Sequence, residues 1–405
     1  MQKSRMGLSY AALAGLVLTL CLAAPSAARA ATVGLAVGEP LKEAQDLSKA
    51  GKYADALRKV KTANALSGKT PYESFVIDDF AAFLNMKLKD YAAAAQAAEA
   101  ALATGQVTDK ERPERLKTLV QISYTAKNYG KVIAFAKQYQ QAAGPDAEMQ
   151  RLVTQAYYLQ KDYPDAEASA KALTASQTAA GRKPDEAILQ LWLSSAFYAQ
   201  DKSGQQAALT ALVENYSSPA YIGDLLNLVE ADLGKSDRMS LEVFRLERAA
   251  GLLKTSDAYT EMAQLAIQLG LPGEARAVMA QGFAAGVLGG KNKSREQRLE
   301  AMAKQQAGQD EPALAATAGT SKARAALAEA YASYGKDDKA IALYKDVLAA
   351  APRDADLVRL HLGQAYLVKG DVASARKSFA AVGDAKLAGL ARLARLWIAV
   401  ARSKN

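Results

Sequence analysis

The stretch KDYPDAEASA, residues 161–170, has relatives along the whole chain: GKYADALRKV at 51–60, KDYAAAAQAA at 89–98, KNYGKVIAFA at 127–136, GKDDKAIALY at 335–344 and GDVASARKSF at 370–379. Aligned on its third residue, the phrase and its weaker copies are anchored at Tyr53, Tyr91, Tyr129, Tyr163, Ser203, Asp237, Pro272, Asp310, Asp337 and Val372, mostly 34 to 40 residues apart. A period of that length is the mark of an array whose units cannot bury their apolar faces alone. Apolar residues at helical spacing precede the anchors, as in Met149, Leu152, Val153 and Ala156, and a second such pattern follows them. Alanine usually stands three residues past the anchor, at Ala56, Ala94, Ala166, Ala275, Ala313, Ala340 and Ala375. Each unit therefore reads as a helical hairpin, and the alanine lets its two helices approach closely. Pro164 in a first turn, Ser218 before Pro219, and GPD at 144–146 supply matching boundary signals.

The last two full units carry a family resemblance. Leu327, Ala328, Ala330, Tyr331, Gly335, Ala340, Tyr344, Leu348 and Pro352, and then Leu362, Gly363, Ala365, Tyr366, Gly370, Ala375 and Phe379, stand where tetratricopeptide repeats place such residues. The resemblance runs unevenly over nearly the whole chain. Val132 replaces the small residue after Tyr129, Ser203 needs one extra residue to reach Ala207, and the unit at Asp237 rests on spacing. It implies an all-α solenoid of helical hairpins wound as a right-handed superhelix. The expected organisation is a signal peptide over 1–30, about seven hairpins over 31–285, a degenerate short hairpin or bend over 286–318, two well-matched repeats over 319–383, and a C-terminal capping helix over 384–405.

Lys3 and Arg5 precede an apolar run from Leu8 to Ala24, and SAARA ends at Ala30, which predicts export with cleavage there. Cleavage removes Cys21, the single cysteine, and leaves no thiol for disulfides, nucleophiles or metals. It also lowers the net charge from +9 to +6, too diffuse for a nucleic-acid footprint. Half of the residues are apolar and 23% charged, which suits a folded chain. Exposed basic residues are expected in KNKSREQR, 291–298, as a solvated loop and first turn, with contact to an acidic partner as the other reading.

No catalytic constellation, phosphate loop, cofactor motif or metal-ligand spacing is present in the sequence, so neither an enzyme nor a cofactor is expected. The one histidine, His361, has no recognisable partners and reads as a packing or surface residue, and Asp78, Asp79, Asp337 and Asp338 read as surface or turn carboxylates. The resemblance implies instead that the first helix of each hairpin lines a concave face. Eight residues before the anchors lie Gln45, Phe83, Gln121, Gln155, Ser195, Val229, Gln264, Met302, Glu329 and Gln364; five before, in three consecutive units, lie Tyr124, Tyr158 and Tyr198. The candidate groove is Gln121, Tyr124, Gln155, Tyr158, Ser195, Tyr198, Gln264 and Gln364. Amides pair with a peptide backbone and tyrosines offer flat surfaces with polar tips, although both are also ordinary residues for half-buried helix positions.

The expectation is a non-catalytic protein-interaction scaffold of the periplasm or cell envelope. The alternative is an accessory subunit of polysaccharide export or cell-wall assembly that binds a glycan or bridges envelope components. The final helix, with Arg392, Arg395 and Arg402 on a narrow stripe, either caps the array or touches a partner or membrane surface through its apolar side.

Overall fold

The computed structural model describes residues 32–230, 236–314, 321–383 and 389–403. The proposed signal peptide lies outside the described residues. All regular structure among the described residues is helical. Its first helices are α1 (Leu35–Lys49), α2 (Tyr53–Asn64), α3 (Pro71–Lys87), α4 (Tyr91–Ala103), α5 (Arg112–Thr125), α6 (Tyr129–Ala143), α7 (Ala147–Leu159), α8 (Tyr163–Ala179), α9 (Glu186–Tyr198) and α10 (Lys202–Tyr216). There follow α11 (Pro219–Glu230), α12 (Asp237–Ala250), α13 (Ser256–Gln268), α14 (Pro272–Ala284), α15 (Lys293–Ala313), α16 (Ser321–Ser333), α17 (Asp337–Ala349), α18 (Ala355–Val368), α19 (Val372–Ala380) and α20 (Leu390–Arg402).

The recurring phrase is the turn inside each hairpin. Lys161 is in the left-handed region at φ 67°, and its N–H donates to Tyr158 O while that of Asp162 donates to Tyr157 O. This is the double bond of a helix C-terminal cap. The Asp162 carboxylate then accepts from Asp165 N and starts α8. Gly51, Lys89, Lys127, Gln200, Gly270, Gly335 and Gly370 repeat the left-handed conformation at the same place. Asp90, Asn128 and Asp371 repeat the second cap. One residue thus ends a helix and the next begins its partner, which is why lysine or glycine is so often followed by aspartate or asparagine.

The turns also correct the register. Eight anchors are the first residues of their helices, but α10 begins at Lys202, one before Ser203, because Gln200 takes the left-handed position. Asp310 is no anchor. It lies within α15, one helix of 21 residues, in the region where a degenerate short hairpin or bend is expected over 286–318; residues 315–318 lie outside the described residues. No residue between Glu296 and Pro312 leaves the helical conformation, and Gly308 is accommodated within it. The basic run 291–298, which enters the start of this helix, is exposed except for Glu296, which accepts from Ser256 Oγ at 2.6 Å and Gly289 N at 2.7 Å.

The chain divides into two compact units, the first ending at Ala126 and the second starting at Lys127, and not near 286–318. In the first, Val37, Leu41, Ala44, Ala56, Val60 and Ile77 form a core among α1, α2 and α3. A capping box of Thr70 and Glu73 opens α3, and Glu73 also accepts from Gly34 N at 2.9 Å, tying α1 to it.

In the second unit successive helices pack in chain order, and then the order is broken. α14 touches α16 as well as α15, so closely that a Cβ on Gly273 would stand 2.7 Å from Ser333 O. α20 packs mainly on α19, and also on α18 and on α10, α11 and α12. It buries Leu390, Leu393, Leu396, Trp397 and Val400 in one core with Leu212, Leu226, Val243 and Leu360. Trp397 stacks on Phe379 at 5.6 Å, and Arg402 Nη1 donates to Glu214 O at 2.7 Å. The last helix is therefore more than a cap, and the apolar side through which a partner or membrane contact is the alternative reading is largely buried inside the unit. Gly363 is required in the same region, since a Cβ there would lie 2.4 Å from the buried Phe379 ring.

Candidate functional site

The predicted row is distributed unevenly. Gln121 and Tyr124 are half-buried on α5 in the first unit. In the second unit, Gln155 and Tyr158 are half-buried on α7, and Gln264 is half-buried on α13. Ser195 is fully buried, with its hydroxyl donating to Leu191 O at 2.7 Å, so it presents nothing to a partner. The one-residue shift at Lys202 is the reason. With it, Ser194 and Phe197 take the positions assigned to Ser195 and Tyr198. Ser194 Oγ lies 2.8 Å from Tyr158 Oη, a hydrogen bond between successive hairpins.

Tyr158 and Tyr198 come together even so. The Tyr198 ring stacks on Tyr163 at 4.8 Å and meets Tyr158 edge-on at 6.3 Å, while Phe197 stands across Tyr198 at 5.5 Å. Phe197 is 62% and Tyr198 53% exposed, with Leu159 nearby in sequence also exposed. The rings hold one another in place and form an aromatic ledge open to solvent.

A second constellation lies deeper in the same unit, and the sequence did not reveal it. Arg245 on α12 extends its guanidinium among three carboxylates: Nη1 donates to Glu242 Oε1 at 2.6 Å, Nε and Nη2 donate to Glu274 on α14 at 2.9 and 2.6 Å, and Nη2 lies 3.0 Å from Glu329 Oε1 on α16. Arg238 also pairs with Glu329. From α18, His361 Nε2 lies 2.8 Å from Glu242 Oε1, and Gln364 donates to Glu242 Oε2 at 2.8 Å. His361, expected to be without partners, is buried in this network, and Gln364 is drawn into it rather than left to a groove. Glu329, read from the repeat spacing, belongs to it as well.

Burial alone would raise the Glu242 carboxyl, but the charge of Arg245, together with His361 and Gln364, outweighs it and holds the group well below the usual carboxylate range. Glu329 is likewise held down, against its burial, by His361, Arg245 and Arg238. Burial works against the Arg245 cation, but Glu242, Glu274 and Glu329 push its pKa well above the ordinary value.

Beside this network is a cavity of about 440 Å³, bordered by Arg245, Arg248, Glu329, His361, Gln364 and Trp397. Asp337, the first residue of α17, also borders it, and burial pushes its carboxyl upward, toward the neutral form. It is therefore not the surface carboxylate that its turn position predicts.

No protein-family model and no curated protein sequence matches the chain. Among solved structures it is similar to the Naa15/Naa10 complex bound to HypK-THB, at 15% identity and a TM-score of 0.33, over 85% of this chain and 59% of that one. It is also similar to a tetratricopeptide repeat protein from Parabacteroides merdae ATCC 43184, at 9% identity and a TM-score of 0.30, over 82% of this chain and 99% of that one. A third is the P58(IPK) TPR domain, at 14% identity and a TM-score of 0.22, over 91% and 97%. At these identities and TM-scores the likeness assigns no partner, ligand or reaction to this chain.

The chemistry of the buried network follows from its contacts. Glu242, Glu329 and His361 place one ligand atom each within 4.8 Å of one another, a spacing a metal ion could use. Arg245 already contacts both carboxylates, and Glu242 engages His361 Nε2. A tethered cation thus does what a bound ion would do. The arrangement joins α12, α14, α16 and α18, and its members are spent on one another.

Proposed function

We propose that this chain is a non-catalytic protein-interaction scaffold, exported to the periplasm or cell envelope, and that its second unit takes a partner's segment across the ledge of Tyr158, Tyr163, Phe197 and Tyr198. The observation that carries the reading is the exposure of Phe197 and Tyr198 in a cluster whose rings are mutually fixed. Aromatic side chains held in one conformation lose little entropy on binding and supply large contact area, the properties of interface anchors. Export is supported by the pattern of Lys3, Arg5, the apolar run and the small residues before Ala30.

Crosslinking in intact cells followed by capture and mass spectrometry tests the scaffold reading. The expected outcome is a defined protein partner whose recovery falls in Phe197→Ala/Tyr198→Ala while the helical content is unchanged. Recovery of the same partners at the same yield from the double variant would remove the ledge from the account. N-terminal sequencing of the secreted chain is expected to begin at Ala31. A glycan is the second reading, because flat rings bearing hydroxyls also suit sugars. It is favoured only if a glycan array gives binding that the same double variant loses.

A further inference from the structure

We propose that the cavity of the second unit is a binding site for a small carboxylate with an apolar body, the carboxylate held by Arg248. This site is separate from the aromatic ledge and does not depend on it.

One cation with unspent donors borders the cavity. Arg248 is half-buried on α12, and the hydrogen bond it makes is from Nε to Gln281 Oε1 at 2.6 Å. Among the described residues it has no ion-pair partner, unlike Arg245 three residues earlier, which has three.

The charges nearby do not cancel Arg248. Glu274 and Glu329 both lie on the cavity wall, but their oxygens are engaged by Arg245 and, for Glu329, Arg238 as well. Burial drives Asp337 toward its neutral form, and drives the Arg248 pKa below the ordinary arginine value. A guanidinium that is partly desolvated and unpaired gains from an anion. Gln281 is exposed, so the charged end of the ligand sits toward solvent. Much of the remaining wall is apolar, with Met262, Ala277, Ala365 and Leu367 beside Ser333 and Tyr344, and the volume falls within the ~300–1,000 Å³ of small-molecule sites.

The test is isothermal titration calorimetry of the full mature chain with hexanoate, and with hexylamine and hexanol as controls of equal bulk. Hexanoate is expected to bind once per chain and to raise the thermal midpoint, with hexylamine giving no heat. Arg248→Gln is expected to weaken hexanoate by about tenfold or more. Circular dichroism verifies that each variant is folded, and Arg248→Lys, which keeps the charge without the fork, is expected to bind at an intermediate level. The proposal is overturned if hexanoate gives no heat at millimolar concentration, if hexylamine binds as well, or if Arg248→Gln binds unchanged. Phe197→Ala/Tyr198→Ala is expected to leave hexanoate binding intact, so loss of the ledge's partner and loss of this ligand are separate results.

Discussion

Lysine occupies the left-handed conformation at Lys89, Lys127 and Lys161, where other turns of the same kind use glycine. A side chain in that region costs roughly 1–2 kcal/mol, and glycine in its place gives back part of the gain through the freedom of the unfolded chain. Lys161→Gly is therefore expected to raise stability by about 0.5–1 kcal/mol, seen as a higher urea midpoint with an unchanged slope. A lower midpoint would show that Lys161 is held by contacts beyond its backbone. These turns were legible because their chemistry is local: the residues that end one helix and start the next are adjacent in sequence. Ser195 was misread for the same reason, since Gln200 carries no signature of the left-handed position and the register slipped by one. The aromatic ledge was partly legible, in Tyr158 and Tyr198, whereas Phe197 enters the row only after the one-residue shift at Lys202.

Helix α12 shows the limit of reading one element at a time. Glu242 and Arg245 lie on its inward side among Met239, Val243 and Leu246, and in isolation they blur its apolar pattern. Their partners Glu274, Glu329 and His361 come from three other helices, the last 119 residues from Glu242. Truncating Arg245 leaves buried carboxylates without a cation, so Arg245→Ala is expected to cost about 3–5 kcal/mol in chemical denaturation. Replacing Glu242, Arg245, Glu274, Glu329 and His361 together with apolar residues of similar volume is expected to recover most of that loss, because the penalty is for an unpaired charge rather than for lost attraction. If the single variant is as stable as the parent, the network contributes nothing to joining these helices.

At the scale of the second unit, the network gives acid sensitivity a definite sign. Glu242 and Glu329 are held below the ordinary glutamate value of 4.5 in the fold, so the stability they contribute is present above that value and lost as pH falls through their depressed folded values. Glu167, Glu247 and Asp337 are raised by burial, and their charged forms oppose folding until pH falls through those raised values. The thermal midpoint is expected to hold or rise slightly from neutrality to about pH 5, then drop in stronger acid. A steady fall beginning near neutrality, in a pH series of calorimetric scans, would contradict this assignment. The repeat period, the turn chemistry and the two-helix unit were determined by the sequence alone, because each depends on residues within one hairpin and on bonds closed over a few positions. Only the tertiary structure decided the single helix α15, the return of α20 onto α10, α11 and α12, and the convergence of Arg245, His361 and Trp397 around one cavity. Those features depend on how small rotations between successive hairpins accumulate, and the sum brings together side chains more than a hundred residues apart whose pairing no local pattern encodes.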